Sequence, residues 1–206
     1  GLRNQGIDTV ITAREDAAMI MAGVSGVLAQ APGLAFSTKG PGLASASNGL
    51  ASAALDRMPA LLISETFGEE ELQFLSHQVL DQNALVDPIL EKAGAERLAC
   101  DQAAVENWLR PPMTSPSVMF PAASDLHNPV PASSPVSGEP PLADLGLSLT
   151  AGLLSQSSYP VVVVGLEAAQ TSIAPSLRAL VNKLGAPVLC TYMAKGCVAD
   201  DDPHYA

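Results

Sequence analysis

Three runs that are apolar from end to end constrain this chain more than anything else in it: GLAF at 33–36, ALLIS at 60–64 and PVVVV at 160–164. A strand with one wet face alternates apolar and polar residues, so a strand apolar on both sides is covered on both faces. Between such runs lie helix-length segments: REDAAMIMAGVSGVLAQ (14–30), ASASNGLASAALDR (44–57), ALVDPILEKAG (84–94) and DQAAVENWLR (101–110). Parallel strands need crossovers of that length. The expected fold class is therefore α/β, a parallel sheet in three layers. Its strands are predicted at GIDTVIT (6–12), GLAFST (33–38), ALLISE (60–65) and SVMFPA (117–122).

A seam follows. NPVPASSPVSGEPP (128–141) holds five prolines, which remove backbone donors and favour extended chain. It reads as a linker between a first domain over 1–127 and a second over 142–206. Past the seam, LADLGLSLTAGLLSQ is a helix, YPVVVVGLEA a buried strand, IAPSLRALVNKLG a helix ending on Gly185, and APVLCTYM another strand. That is a second, Rossmann-like α/β unit with a right-handed crossover expected. The sequence ends at DDDPHYA without closing a unit, and GIDTVIT has no preceding partner, so a piece of a longer protein is expected at both ends.

Charge and cysteine usage narrow the function classes. A net charge of −11 argues against nucleic acid, whose phosphates call for clustered Lys and Arg. No basic amphipathic stretch suggests a membrane surface, and the apolar runs are strand-length. Cys100, Cys190 and Cys197 lack metal-ligand spacing and are expected to be reduced core thiols of a cytoplasmic protein. His77, His127 and His204 are scattered, so a zinc site has no support.

Two stretches carry the candidate chemistry. Glu15 and Asp16 stand side by side at the start of an apolar helical run. Such pairs are ordinarily first-turn charges favoured by the helix dipole. On a helix the two cannot point the same way, so one can face the protein while the other is solvated; Asp16 is taken as the solvated one. The second stretch is Gly40-Pro41-Gly42, after a strand and before a helix. Its glycines let a ligand approach the backbone, and beyond the carboxyl end of a strand is where open parallel sheets bind ligands. A purely structural turn fits the same residues, and no Walker lysine follows.

Taken together, Arg14-Glu15, Ala18, Met21-Ala22-Gly23, Gly40-Pro41-Gly42, Ser45, Asn48-Gly49-Leu50-Ala51, Asp56 and Pro59 resemble the pyrimidine-binding domain of thiamine diphosphate-dependent enzymes of the pyruvate decarboxylase and acetohydroxyacid synthase group. The stretch from PVVVVGLEA to MAKG and DPHY resembles the start of that family's central domain. The resemblance implies a role for Glu15, hydrogen-bonded to N1′ of the cofactor's aminopyrimidine. That chemistry favours a carboxyl set among apolar neighbours, with Ala17, Ala18, Met19 and Met21 expected to supply them. It also implies that Gly40, Pro41, Gly42 and Ser45 form the cofactor loop. SHQVLDQ (76–82) then approaches the substrate side, with His77 and Gln78 as proton-transfer or orienting groups; the family's paired histidines or Gln-Glu pair are not matched cleanly there.

The resemblance further implies a 2-oxo acid substrate, decarboxylation or carboligation, and a homodimer or homotetramer. No G-D-G motif occurs, so the Mg and diphosphate site is expected in a C-terminal domain outside this sequence, and the piece alone is expected to be inactive. VVVVGLEAAQ lacks GxGxxG and places Glu167 after its single glycine, so the central domain is expected to hold neither FAD nor another nucleotide. Two alternatives stay open: a non-catalytic α/β module binding a nucleotide or partner, and a degenerate family member with a structural role.

Overall fold

A computed structural model describes residues 2–110, 115–122, 146–169 and 173–206. The chain divides into two compact units, Gly1–Pro140 and Pro141–Ala206. The proline-rich 128–141 segment and His127 lie outside the described residues.

Unit 1 runs α1 (Glu15–Ala29), β1 (Gly33–Ser37), α2 (Pro41–Leu55), β2 (Ala60–Ser64), α3 (Glu69–Leu72), α4 (Gln82–Lys92), β3 (Arg97–Leu98), α5 (Gln102–Trp108) and β4 (Ser117–Met119). The strands form one sheet in the order β1-β2-β4-β3, every pair parallel. The expected α/β class holds. β2 lies centrally, and four of its five residues are buried, as an end-to-end apolar run requires. Helices and sheet share one core: Met19 from α1, Leu43 and Leu50 from α2, Leu62 from β2, Val86 and Leu90 from α4, and Val118 from β4.

Backbone proximity holds α1 and α2 together. A side chain at Gly49 would meet the Asp16 carbonyl oxygen at 2.5 Å and the Met19 Cβ at 2.8 Å. Only a residue without a Cβ permits that approach.

Residues 6–12 depart from expectation: they form no strand. Ile7, Val10 and Ile11 are 49%, 74% and 88% exposed. The segment leaves a 3-10 turn over Leu2–Gln5 and is pinned by Arg3 Nε donating to Thr9 Oγ1 at 2.8 Å. Strand propensity alone does not make a strand; pairing must, and among the described residues no strand pairs with these. β3, only two residues long, gave no detectable pattern. Cys100 also departs from expectation, since it is exposed rather than in the core.

Unit 2 comprises α6 (Leu147–Gln156), β5 (Val162–Val164), α7 (Ala174–Leu184) and β6 (Val188–Cys190). β5 and β6 pair in parallel, and Val164, Val181, Val188 and Ala194 form its core. α7 ends on Gly185 in the left-handed region, as the sequence predicts. The terminal DPHYA returns to β6: Val188 N–H donates to the His204 carbonyl at 2.7 Å, and Ala206 N–H to the Val188 carbonyl at 3.0 Å.

The α1–α2 contact makes a direct prediction. Gly49→Val should destabilise unit 1 by about 1–3 kcal/mol through overpacking. Leu62→Ala should cost about 2–5 kcal/mol through a cavity. Urea unfolding followed by circular dichroism measures both.

Candidate active site at the carboxyl edge of the first sheet

β1 and β2 end level with one another, Ser37 opposite Ser64. Beyond β1 the chain turns through Thr38, Lys39 and Gly40 into α2. Gly40 is the N-cap at φ 61°, a left-handed value that disfavours any side chain. Pro41 follows at the first helical position, where its missing N–H matters least. Gly40 and Gly42 are buried, Pro41 is exposed, and Ser45 is half-buried one turn further along α2.

The first residue of α1 reaches this corner. A Cβ built on Gly42 would stand 3.8 Å from Glu15 Oε1 and would collide with Thr38 Oγ1. A carboxylate oxygen and a hydroxyl thus flank a bare Cα at the start of a helix. Glu15 itself is half-buried. The expected apolar surround is only partly realised: Met19 is fully buried, but Met21 is 46% exposed and turns away.

Asp16 is not the solvated charge expected from sequence. It is 8% exposed, and Arg14 Nη2 and Nε donate to its two oxygens at 2.7 and 3.0 Å. The Arg14 hydrogen bonds hold the Asp16 carboxyl below the usual carboxylate range, helped by the Ala17 N–H and the Asn48 side chain. Its position one residue into α1 turns Asp16 onto α2, where the packing is tight, and burial of a carboxylate there requires a partner. The adjacent arginine is the signal that could have revealed this.

Gln82 is a second residue that sequence reasoning passed over. It is buried at the start of α4; its Oε1 accepts from Gly40 N–H at 3.3 Å and its Nε2 donates to the Glu65 carbonyl at 3.1 Å. One amide thereby ties the glycine turn to the end of β2. Ser64 Oγ donates to the Thr38 carbonyl at 3.2 Å, a second tie. Lys39 lies 3.7 Å from Glu65 and 4.2 Å above the Phe67 ring. Ser37 Oγ, by contrast, is buried at this edge with no protein partner.

Of the substrate-side residues, Gln78 meets the corner through its backbone. It has φ 62°, and its carbonyl lies where a Gly40 side chain would stand. The side chains of His77 and Gln78 are exposed. No group of three metal-type ligands occurs among the described residues. No described helix is long and apolar enough to cross a membrane.

Comparison with known proteins places this corner in a family. Residues 1–85 match the profile described as thiamine pyrophosphate enzyme, N-terminal TPP binding domain, and residues 147–206 match the thiamine pyrophosphate enzyme central domain. The chain belongs to the thiamine pyrophosphate enzyme family. It is 26% identical to an acetolactate synthase of Bacillus subtilis over 97% of its own length and 36% of that protein. It is 27% identical to an acetolactate synthase large subunit of Mycobacterium tuberculosis, covering 98% of the chain and 39% of the relative. It is 28% identical to a 2-hydroxyacyl-CoA lyase of Oryza sativa subsp. japonica, covering 92% and 36% respectively. The chain therefore spans a little over a third of the length of these relatives.

Two predictions follow from the geometry. Gln82→Ala leaves the Gly40 N–H and Glu65 carbonyl without their partner and should cost about 1–3 kcal/mol, read as a lower melting temperature. Asp16 is ionised and paired above its lowered pKa, so its contribution is present at neutral pH and is lost as pH falls through that value. Asp16→Asn should lower the melting temperature at pH 7, and the gap to wild type should close in acid below the ordinary carboxylate range.

Proposed function

We propose that this chain supplies the aminopyrimidine half of a thiamine diphosphate site in an enzyme that makes or breaks a carbon–carbon bond in 2-oxo acids, by decarboxylation or carboligation. One observation carries the proposal: Glu15 Oε1 faces the bare Cα of Gly42, at the carboxyl edge of a parallel sheet. A flat ring needs backbone unencumbered by Cβ atoms, and Gly40 and Gly42 provide it. The buried, unpartnered Ser37 hydroxyl is a further polar group available to a ligand at the same edge. These residues fit the group.

When bound, thiamine diphosphate supplies the electron sink for chemistry beside a 2-oxo carbonyl. The chain's own residues do the rest. Glu15 holds or releases a proton at the ring nitrogen N1′. Gly40, Pro41 and Gly42 form the floor of the ring site, Ser45 lines it one helical turn on, and Gln82 keeps the turn in place. His77 and Gln78, carried on the segment whose backbone abuts Gly40, orient the substrate or pass a proton on its side of the ring.

Magnesium and the diphosphate are held by a further part of the intact protein, so the 206-residue chain alone does not turn over substrate. A homodimer or homotetramer, in the cytoplasm, completes the site. The apolar stripe of Ile20, Val24, Val27 and Leu28, exposed on α1, supports such assembly. The second unit is structural: Gly165 leads into a 3-10 turn over Leu166–Ala169 rather than directly into a helix N-terminus that would receive a phosphate.

In the full-length protein, Glu15→Gln should lower kcat by at least about a hundredfold while the melting temperature stays within a few degrees. Gly42→Ala should weaken thiamine diphosphate binding, measured by calorimetric titration with Mg²⁺ present. Full turnover by Glu15→Gln would overturn the proposal.

A further inference from the structure

We propose that Cys190 and Cys197 form a peroxide-sensitive dithiol that closes to an intramolecular disulfide on the second unit. The two Sγ atoms are 3.6 Å apart. A disulfide requires about 2 Å, so side-chain rotation must bring them together by about 1.5 Å. The backbone already holds both residues in place. Cys190 ends β6, and the next residue, Thr191, donates its N–H to the Val164 carbonyl at 2.9 Å. Cys197 N–H donates to the Ala194 carbonyl at 3.1 Å, closing a short turn between the two cysteines. Gly196, at φ 94°, stands immediately before Cys197 and gives that end of the turn freedom to adjust.

The surroundings select the oxidant and the order of events. Both thiols pack against the Val164, Val181, Val188 and Ala194 cluster, half-buried. Cys197 also lines a cavity of about 20 Å³ beside Leu177, Arg178 and Asp202. That space admits a molecule near the size of water, which suits a small oxidant such as hydrogen peroxide. Burial pushes the Cys190 thiol above its ordinary range, and the neighbouring Cys197 adds to the shift. Cys197, which lines that cavity, is the sulfur that meets peroxide.

The Cys197 sulfur attacks one peroxide oxygen as its thiol proton departs; the O–O bond breaks and the leaving hydroxide takes up that proton to become water. Cys190 then attacks the resulting sulfenic sulfur, the S–O bond breaks, and the Cys190 proton leaves with that oxygen as a second water. Two thiols and one peroxide become one disulfide and two waters, the sulfurs giving up two electrons. The closed ring fastens the turn holding Lys195 and Gly196 to the carboxyl end of β6.

The test treats the 206-residue chain with hydrogen peroxide in wild type and in a Cys100→Ser background, which removes the exposed third thiol. Peptide mapping under non-reducing conditions should show Cys190 joined to Cys197, with loss of two hydrogens that dithiothreitol restores. Dimedone should label Cys197 in Cys190→Ser and leave Cys190 unlabelled in Cys197→Ser. Two thiols that stay alkylatable, or Cys197 passing to sulfinic acid without cross-linking in wild type, would refute the proposal. Dimedone labelling of Cys190 in place of Cys197 would refute the order of attack.

Discussion

Two helices that approach closely at a glycine govern the first unit. α1 lies against α2 at Gly49, where the Asp16 carbonyl and the Met19 side chain occupy the space a Cβ would take. The same contact decides the fate of two neighbouring carboxylates. Asp16 faces the packed seam and survives there because Arg14 neutralises it. Glu15 is directed along α2 to its first turn, beside Gly42. A pair of acids that looks redundant in sequence is thus split by one helical step into a structural ion and a candidate working group.

The corner is held more firmly than its glycines suggest. A turn rich in glycine loses more conformational entropy on folding than most others, and fixed partners must offset that loss. Gln82 and Ser64 supply them, from α4 and β2 respectively. These ties come from residues distant in sequence, so the turn is rigid only within the assembled sheet. Lys39, drawn toward Glu65 and Phe67, places a cation at the same edge.

Much of this was legible in sequence, for a physical reason. End-to-end apolar runs such as ALLIS fit a covered parallel sheet, and Gly40-Pro41-Gly42 marks the passage from strand to helix, although α2 starts at Pro41 rather than at Ala44 after the glycines. What escaped depends on partners. The 6–12 segment has strand composition but, among the described residues, no neighbouring strand, and composition cannot supply one. Gln82 reads as an ordinary polar residue at a helix start; its importance lies in a hydrogen bond to a residue 42 positions away. Asp16 was misassigned because helix-dipole reasoning considers one helix, whereas α2 lies across this one.

We propose that the carboxyl of Glu15 and the bare Cα of Gly42 bracket the place where an aminopyrimidine ring rests. A crystal structure of the full-length protein with thiamine diphosphate and Mg²⁺ tests it most directly. A Glu15 oxygen should lie within hydrogen-bond distance of N1′, about 2.6–3.2 Å, with the ring over the Gly40–Gly42 turn. A ring seated elsewhere, with Glu15 facing water, would contradict it.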